Sequence, residues 1–175
     1  MLLLTFIAGS NRHAVDAAHV VELVPRVPLR AVPHAPEYLA GLLAYRGHVV
    51  PVIDLGSLLG SGPCRDRLAT RIILVEVHPA GDSHHDASHD PSIRGSNRKR
   101  ILGLIAEQVS DLMTIRHDQA TPPPMVMPWA PYLGPIVQTE RGEIVQILGI
   151  EALETVALRG TPESPVASLA QGNPE

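Results

Sequence analysis

The sequence predicts an all-β protein built from many short strands. Three observations support this. Short runs of Val, Ile and Leu recur along the chain with Gly, Pro or Asp between them. Seventeen prolines in 175 residues, about twice the usual share, disfavour long helices because each proline lacks an N–H donor. The length, with 45% apolar and 18% charged residues, is that of one domain with its own core.

Eight of these runs are predicted as strands. They are Leu2 to Ile7, Val20 to Val24, Val49 to Leu55, Arg71 to Val77, Arg100 to Ala106, Val109 to Ile115, Ile136 to Thr139 and Glu143 to Leu148. Three patches, Asp16 to His19, Ser57 to Leu59 and Ile150 to Ala157, favour a helical turn or two. Because the strands are short and rarely alternate with helices, the pattern indicates a barrel or sandwich rather than βαβ units.

Composition excludes several classes of function. The 14 basic and 18 acidic residues give a net charge of −4 with no basic stripe, which argues against nucleic-acid binding. Aromatic residues make up only 3%, so the core must be aliphatic. The single cysteine, Cys64, forms no intramolecular disulfide, and no apolar run reaches the length of a membrane span. We therefore expect a cytoplasmic protein with no membrane insertion, whose opening MLLLTFIA is the first strand.

Two stretches differ from the rest in composition. Residues 78–99 are polar and longer than ordinary loops, and they are predicted to be a flexible insert between two paired strands. Residues 161–175 carry three prolines and little apolar content, and they are predicted to be a disordered tail. The expected domain therefore spans residues 1–160.

The insert contains the densest group of metal-ligand side chains. These are His78, Asp82, His84, His85, Asp86, His89 and Asp90. Imidazole and carboxylate groups bind divalent ions, so a metal sensor or a metal-dependent hydrolase is the alternative function. A Gly- and Ser-rich loop supplies little to fix such ligands, and no HExxH pair stands elsewhere. Catalytic motifs are also missing, because there is no GxSxG, and GSLLGSG lacks both the GxGxxG spacing and a P-loop lysine. Cys64 could have a lowered pKa beside Arg65 and Arg67, or be an unreactive thiol.

The block from 37 to 60, EYLAGLLAYRGHVVPVIDLGSLLG, predicts a hairpin. Gly47 favours a turn with positive φ, which places Arg46 at the hairpin tip. Val50, Val52 and Ile53 are expected to point inward. Because proline donates nothing to a ladder, the strand through Pro51 is either an edge or locally broken.

This block carries a resemblance to a known family. GLLAYRGHVVPVIDL, from Gly41 to Leu55, resembles the hallmark segment of the CheW family of chemotaxis adaptor proteins. VDAAHVVEL from Val15, RILGLIAEQVSDLMTI from Arg100, and PYLG followed by GEIVQILGIEALE resemble further segments of that family. The resemblance covers roughly residues 1 to 158. It departs at GSNRHA, which stands in place of the usual Gly-x-x-Tyr start, at Gly149, and in the His-rich insert.

The resemblance implies two small SH3-like β-barrel lobes, with a few short helices and a hydrophobic groove between the lobes. It also implies a non-catalytic scaffold without a cofactor, which couples a CheA-type histidine kinase to the cytoplasmic tip of methyl-accepting chemoreceptors. Such a protein would reside at receptor arrays on the inner face of the membrane. The run LLAYRGHVVPVIDL, with TRIILVEV and YLGPIVQ, also resembles adaptors of Wsp-type surface-sensing pathways.

Four positions match places where the family contacts its receptor or kinase, or supports those contacts. Val20 would offer apolar surface to a partner helix or fill the core, and Glu22 would be a rim charge or a solvated carboxylate. Gly41 would allow close backbone approach or be the one residue that fits locally. Arg46 would be an interface anchor, with a structural salt bridge to Asp54 as the alternative.

Overall fold

The computed structural model describes residues 1–77, 100–125 and 127–159. The predicted insert with its His/Asp cluster and the predicted tail lie outside these residues. The strands are β1 (Leu2–Ala8), β2 (Asn11–Asp16), β3 (Val20–Pro25), β4 (Leu39–Tyr45), β5 (His48–Asp54), β6 (Arg71–Val77), β7 (Arg100–Thr114), β8 (Ala120–Thr121), β9 (Leu133–Gln138) and β10 (Ile144–Leu148). The helices are α1 (Leu55–Leu58) and α2 (Ile150–Arg159), with 3-10 turns at Ala17–His19 and His117–Gln119.

The strands form two lobes that share β7. In the first lobe the order is β7, β1, β2, β10, β9, β8, with β2 and β10 parallel. In the second lobe the order is β3, β6, β7, β5, β4, with β5 and β7 parallel. The chain after β3 returns to the free side of β4, where Arg30 and Leu42 exchange two backbone hydrogen bonds of 2.9 Å. The second lobe therefore closes as a barrel of five strands, one of the two architectures that the strand pattern indicated and the one that the family resemblance implies.

The long strand β7 corrects one prediction, because two separate strands were expected over this segment. Its first part, Arg100 to Ala106, pairs with β6 in the second lobe, and the part from Glu107 to Thr114 pairs with β1 in the first. Gln108 has a φ of 48°, and the β1–β7 register shifts at the same place. The two predicted segments therefore belong to different lobes, joined by a bulge rather than by a turn.

Three apolar clusters hold the fold together. One fills the second lobe around Val52, Ile72 and Ile105, and one fills the first lobe around Leu3 and Val145. The largest lies between the lobes, where Phe6, Ile53, Leu104 and Leu153 of β1, β5, β7 and α2 meet. Aliphatic side chains dominate all three clusters, as the sequence predicted, so removal of apolar surface from water is the main force joining the lobes.

Two further strands were missed, a third was predicted only as one arm of the 37–60 hairpin, and the helical predictions were partly shifted. β2 and β8 were not predicted, since β2 (NRHAVD) shows no simple alternation and β8 has two residues. β4 (LAGLLAY) contains a glycine, and its bounds were not predicted although the hairpin required a strand there. The helix expected at Ser57 begins two residues earlier, because Asp54 caps it. The pairing of β5 with β7 begins only at Val52, so β5 is an edge on that side through Pro51, as predicted.

Candidate protein-docking site

The β4–β5 hairpin ends in the two-residue turn that the sequence predicted. Tyr45 pairs with His48, and Arg46 and Gly47 between them have φ values of 48° and 80°. Two consecutive positive φ values are those of a type I′ turn, whose twist matches that of the flanking strands. Arg46 is thereby placed at the tip of the hairpin, and its side chain is 71% exposed.

Glu22 of β3 lies against this tip. Its Oε2 accepts a hydrogen bond of 2.8 Å from a guanidinium nitrogen of Arg46 and another from the Tyr45 hydroxyl. The Arg46 guanidinium carbon also lies 5.0 Å from the centre of the Tyr45 ring, which is cation–π distance. Two of the four predicted site residues, Glu22 and Arg46, are therefore brought together, with Tyr45 as a third member.

Tyr45 was not singled out from the sequence, although it immediately precedes Arg46. The hydrogen bond to Glu22 raises the pKa of the Tyr45 hydroxyl, with further increases from burial and from the Glu22 charge, while Arg46 lowers it. The phenol consequently stays protonated and remains a donor. Only the adjacency of an aromatic residue and an arginine at a predicted hairpin tip could have indicated it beforehand.

The alternative salt bridge between Arg46 and Asp54 is wrong. Asp54 is 3% exposed and lies at the other end of β5, where its Oδ1 accepts a 3.0 Å hydrogen bond from the Ser57 amide at the start of α1. It also accepts hydrogen bonds of 3.0 and 3.1 Å from the Cys64 amide. Asp54 is therefore a structural residue that ties α1 and the following loop to β5.

Val20 and Gly41 have supporting positions. Val20 begins β3, is half-buried, packs against the cluster between the lobes and pairs with Val75. Gly41 is buried with a φ of 144°, and a Cβ at this position would lie 2.6 Å from the carbonyl oxygen of Arg30. Glycine is needed here because it permits both this backbone conformation and the close approach of the segment after β3.

The described residues support neither a metal site nor a reactive cysteine. Within residues 1–77, 100–125 and 127–159, no three His, Cys, Asp or Glu side chains converge as metal ligands do. Of the two possibilities for Cys64, the structure favours the unreactive thiol, because burial raises the thiol pKa to about 12 despite the neighbouring arginines. None of the helices described reaches the length and apolar character needed to cross a bilayer.

The fold of two β lobes agrees with the comparisons to known proteins. A family model described as a CheW-like domain matches residues 2–156. The chain belongs to the CheW-like family. It is thus an adaptor of chemotaxis-type signal transduction and not an enzyme, and its family membership implies interaction with chemoreceptors and a CheA-type kinase.

Individual relatives of this CheW-like chain agree. The probable chemotaxis protein CheW of Rhizobium etli is 29% identical over 124 residues, which are 71% of this chain and 67% of that protein. Protein FrzA of Myxococcus xanthus is 26% identical over 69% of this chain and 62% of its own length. The crystal structure of the scaffolding protein TtCheW from Thermoanaerobacter tengcongensis superposes with a TM-score of 0.67 at 24% identity, covering 87% of this chain and 86% of that one. This structural match confirms the predicted fold.

Proposed function

We propose that this chain couples the cytoplasmic hairpin tip of methyl-accepting chemoreceptors to the regulatory domain of a CheA-type kinase, and that Val20, Glu22, Gly41 and Arg46 form or support one of its docking surfaces. The observation that carries the proposal is the arrangement of Glu22, Tyr45 and Arg46 at the end of the second lobe. Two of the proposed residues are directly bonded there, on a surface open to a partner.

This arrangement suits a docking anchor. The Arg46 guanidinium has five donor hydrogens, and in a side chain that is 71% exposed most of them remain open to a partner. Its pairing with Glu22 and its contact with the Tyr45 ring restrict the side chain before any partner binds. Less conformational entropy is then lost in the complex, which is how a pre-ordered interface gains affinity.

The first test is the charge reversal Arg46→Glu, with Arg141→Glu as the matched control because Arg141 is an exposed arginine in the first lobe. We expect the reversal to raise the Kd for the cognate receptor fragment or kinase about tenfold or more, as loss of an interfacial arginine does. The control is expected to bind as the parent protein does. Unchanged binding and unchanged signalling by Arg46→Glu would remove Arg46 from the interface.

A double variant separates a direct contact from an internal one. Glu22→Arg combined with Arg46→Glu preserves the internal ion pair but reverses the charges shown to a partner. If Arg46 contacts the partner directly, the double variant stays as weak as Arg46→Glu. Recovery of parental binding would mean that the pair acts only by positioning the hairpin.

The cellular setting belongs to the same proposal. We place the chain in the cytoplasm at receptor arrays, and the Wsp-type output remains a prediction from the sequence resemblance. A fluorescent fusion should form clusters that disappear when the cognate receptors are deleted. Clusters that persist without receptors would contradict this placement.

A further inference from the structure

The loop between α1 and β6 presents an unusual surface, here called the Leu68 loop (residues 64–71). Leu68 is 95% exposed, which makes it the most exposed of the large apolar side chains described. Single exposed apolar residues are common on protein surfaces. This one differs because the backbone around it is fixed and its neighbours carry unpaired positive charge.

Hydrogen bonds within the loop fix the position of Leu68. The Thr70 hydroxyl donates to the Arg65 carbonyl at 2.6 Å, and the Thr70 amide donates to the Arg67 carbonyl at 2.9 Å. The Arg71 guanidinium donates to the carbonyl oxygen of Leu68 itself. The exposed Leu68 side chain therefore extends from an ordered turn.

Further hydrogen bonds attach the loop to β7 and to the segment after β3. The Arg65 amide donates to a Glu107 carboxylate oxygen at 2.8 Å, and the Arg26 guanidinium donates to the Cys64 carbonyl at 2.6 Å. Both of these bonds hold the N-terminal end of the loop, and at the other end Arg71 pairs with Ala106 in the β6–β7 ladder, so Leu68 meets a partner with little further ordering.

The loop is also a centre of positive charge. Four arginines belong to it or contact it, namely Arg26, Arg65, Arg67 and Arg71. Among the residues that the structure describes, none of the four guanidinium groups has a carboxylate oxygen within 4 Å, and those of Arg26 and Arg71 donate to uncharged backbone carbonyls instead. Three carboxylates belong to the loop or contact it: Asp66 is exposed, Glu107 is bonded to the Arg65 amide and buried Asp54 is bonded to the Cys64 amide. Four arginines against these three leave the local balance positive, in a chain whose net charge is −4.

We infer that the Leu68 loop is a second docking surface, one that receives an acidic protein surface in which carboxylates surround an apolar hollow. Leu68 would fill the hollow while the arginines face the carboxylates. A protein is favoured over a nucleic acid or an anionic membrane because the net charge of −4 repels extended polyanions, whereas a local acidic patch meets only this loop. The inference rests on the proposed function, since an adaptor joining two partners needs two surfaces and the Glu22–Arg46 pair supplies one.

The test measures binding of the full chain to the cognate receptor fragment and to the cognate kinase, each separately, for Leu68→Asp and Arg67→Glu. Ile144→Asp and Arg141→Glu are the matched controls, because Ile144 on β10 is 61% exposed and Arg141 is an exposed arginine, both in the first lobe. We expect Leu68→Asp to raise the Kd for one of the two partners about tenfold, and Arg67→Glu to raise it about threefold to tenfold and reduce its salt dependence. Both changes lie on the surface, so folding should be unaffected, which circular dichroism verifies.

Each outcome decides the matter. If both loop variants bind receptor and kinase as the parent does, the inference is overturned, while the proposed function still depends on the Arg46→Glu result. The inference also falls if the parent chain binds phosphatidylglycerol vesicles or duplex DNA and the loop variants lose that binding, because the loop would then serve a different polyanion. Selective weakening for one protein partner, with the controls unchanged, supports it.

Discussion

At the scale of single residues, Asp54 holds together the end of β5, α1 and the Leu68 loop. Replacing it by Ala leaves the buried Cys64 amide without an acceptor and removes the cap from α1. We expect Asp54→Ala to lower the free energy of unfolding by about 2 kcal/mol or more, measured by urea denaturation. Asp118→Ala, at an exposed carboxylate, should change it by less than about 0.5 kcal/mol. If Asp54→Ala also lowered the free energy of unfolding by less than about 0.5 kcal/mol, the cap would contribute little to stability.

Replacing Gly41 by Ala, and comparing the result with the same replacement at the turn glycine Gly142, tests whether close packing requires glycine at position 41. Gly41→Ala combines an unfavourable φ of 144° with a Cβ 2.6 Å from the Arg30 carbonyl oxygen, whereas Gly142 has a φ of 78° and open space around it. We expect Gly142→Ala to lower the free energy of unfolding by about 1 kcal/mol, and Gly41→Ala by clearly more. Equal losses in denaturation measurements would argue against close packing at Gly41.

His13 makes stability depend on pH. It is 6% exposed and stacks on Phe6 with the ring centres 6.2 Å apart, and burial lowers its pKa from 6.5 to about 4. Between these two values the unfolded chain binds more protons than the folded one. The free energy of unfolding should therefore fall as the pH falls from 6.5 to 4, by up to about 3 kcal/mol from this residue.

The measurement is urea denaturation at several pH values for the parent, His13→Leu and His117→Leu. Leucine at position 13 removes the titrating group from an apolar site, so that variant should lose stability less steeply below pH 6.5. Exposed His117 is the control, and its replacement should leave the slope unchanged. If the free energy of unfolding of His13→Leu fell with pH as steeply as that of the parent, the pH dependence would come from other groups.

Local features of the sequence predicted the turn at Arg46 and Gly47 but not the ion pair at its tip. Gly47 and the position of Arg46 followed from turn chemistry, which is local. The partner of Arg46 did not, because Glu22 is 24 residues away and only the pairing of β3 with β6 and the path of the β4–β5 hairpin bring the two together. For the same reason the sequence left the reactivity of Cys64 open, since its burial depends on contacts remote in the sequence.

At the scale of elements, the β6–β7 hairpin has enough paired residues to remain folded without the segment between its strands. Val77 and Arg100 are paired at its end. Deletion of residues 80–97 leaves His78, Pro79, Arg98 and Lys99 as a four-residue connection, a common hairpin length. We expect the shortened protein to fold, to gain up to about 1.5 kcal/mol from the shorter loop, and to bind its partners as before.

Thermal unfolding and partner binding of the deletion variant check this. An adaptor tolerates the change, whereas a metal sensor or metalloenzyme that used the His/Asp cluster would lose its activity. Loss of partner binding in a folded variant would show that residues 80–97 contribute to the interface.

The strands that the sequence predicted and those it missed differ in a physical way. Arg71–Val77 is buried almost throughout and reads as a continuous apolar run, so its bounds were predicted as observed. In β2 a buried histidine occupies a core position, and in β4 a glycine interrupts the apolar run, so neither shows the periodicity from which strand bounds are predicted. β4 was reached only through the turn at Gly47. The bulge in β7 was read as a boundary because Gln108 breaks the pattern there.

At the scale of the whole molecule, the two lobes are joined by the largest apolar cluster and by the continuous strand β7. The sequence predicted an all-β fold and, through the family resemblance, two lobes. It gave no indication of the Leu68 loop as a surface, because exposure and unpaired charge appear only once the strands are placed. A rigid body with separate docking surfaces is what an adaptor needs in order to hold two proteins in a fixed relation.

Simultaneous binding is the most direct test of that account. Isothermal titration of the receptor fragment into the chain, first alone and then saturated with kinase, compares the two affinities. We predict a ternary complex in which the kinase-saturated chain binds receptor with the same Kd or a lower one. Competition, in which saturation with kinase abolishes receptor binding, would contradict an adaptor that holds both partners at once.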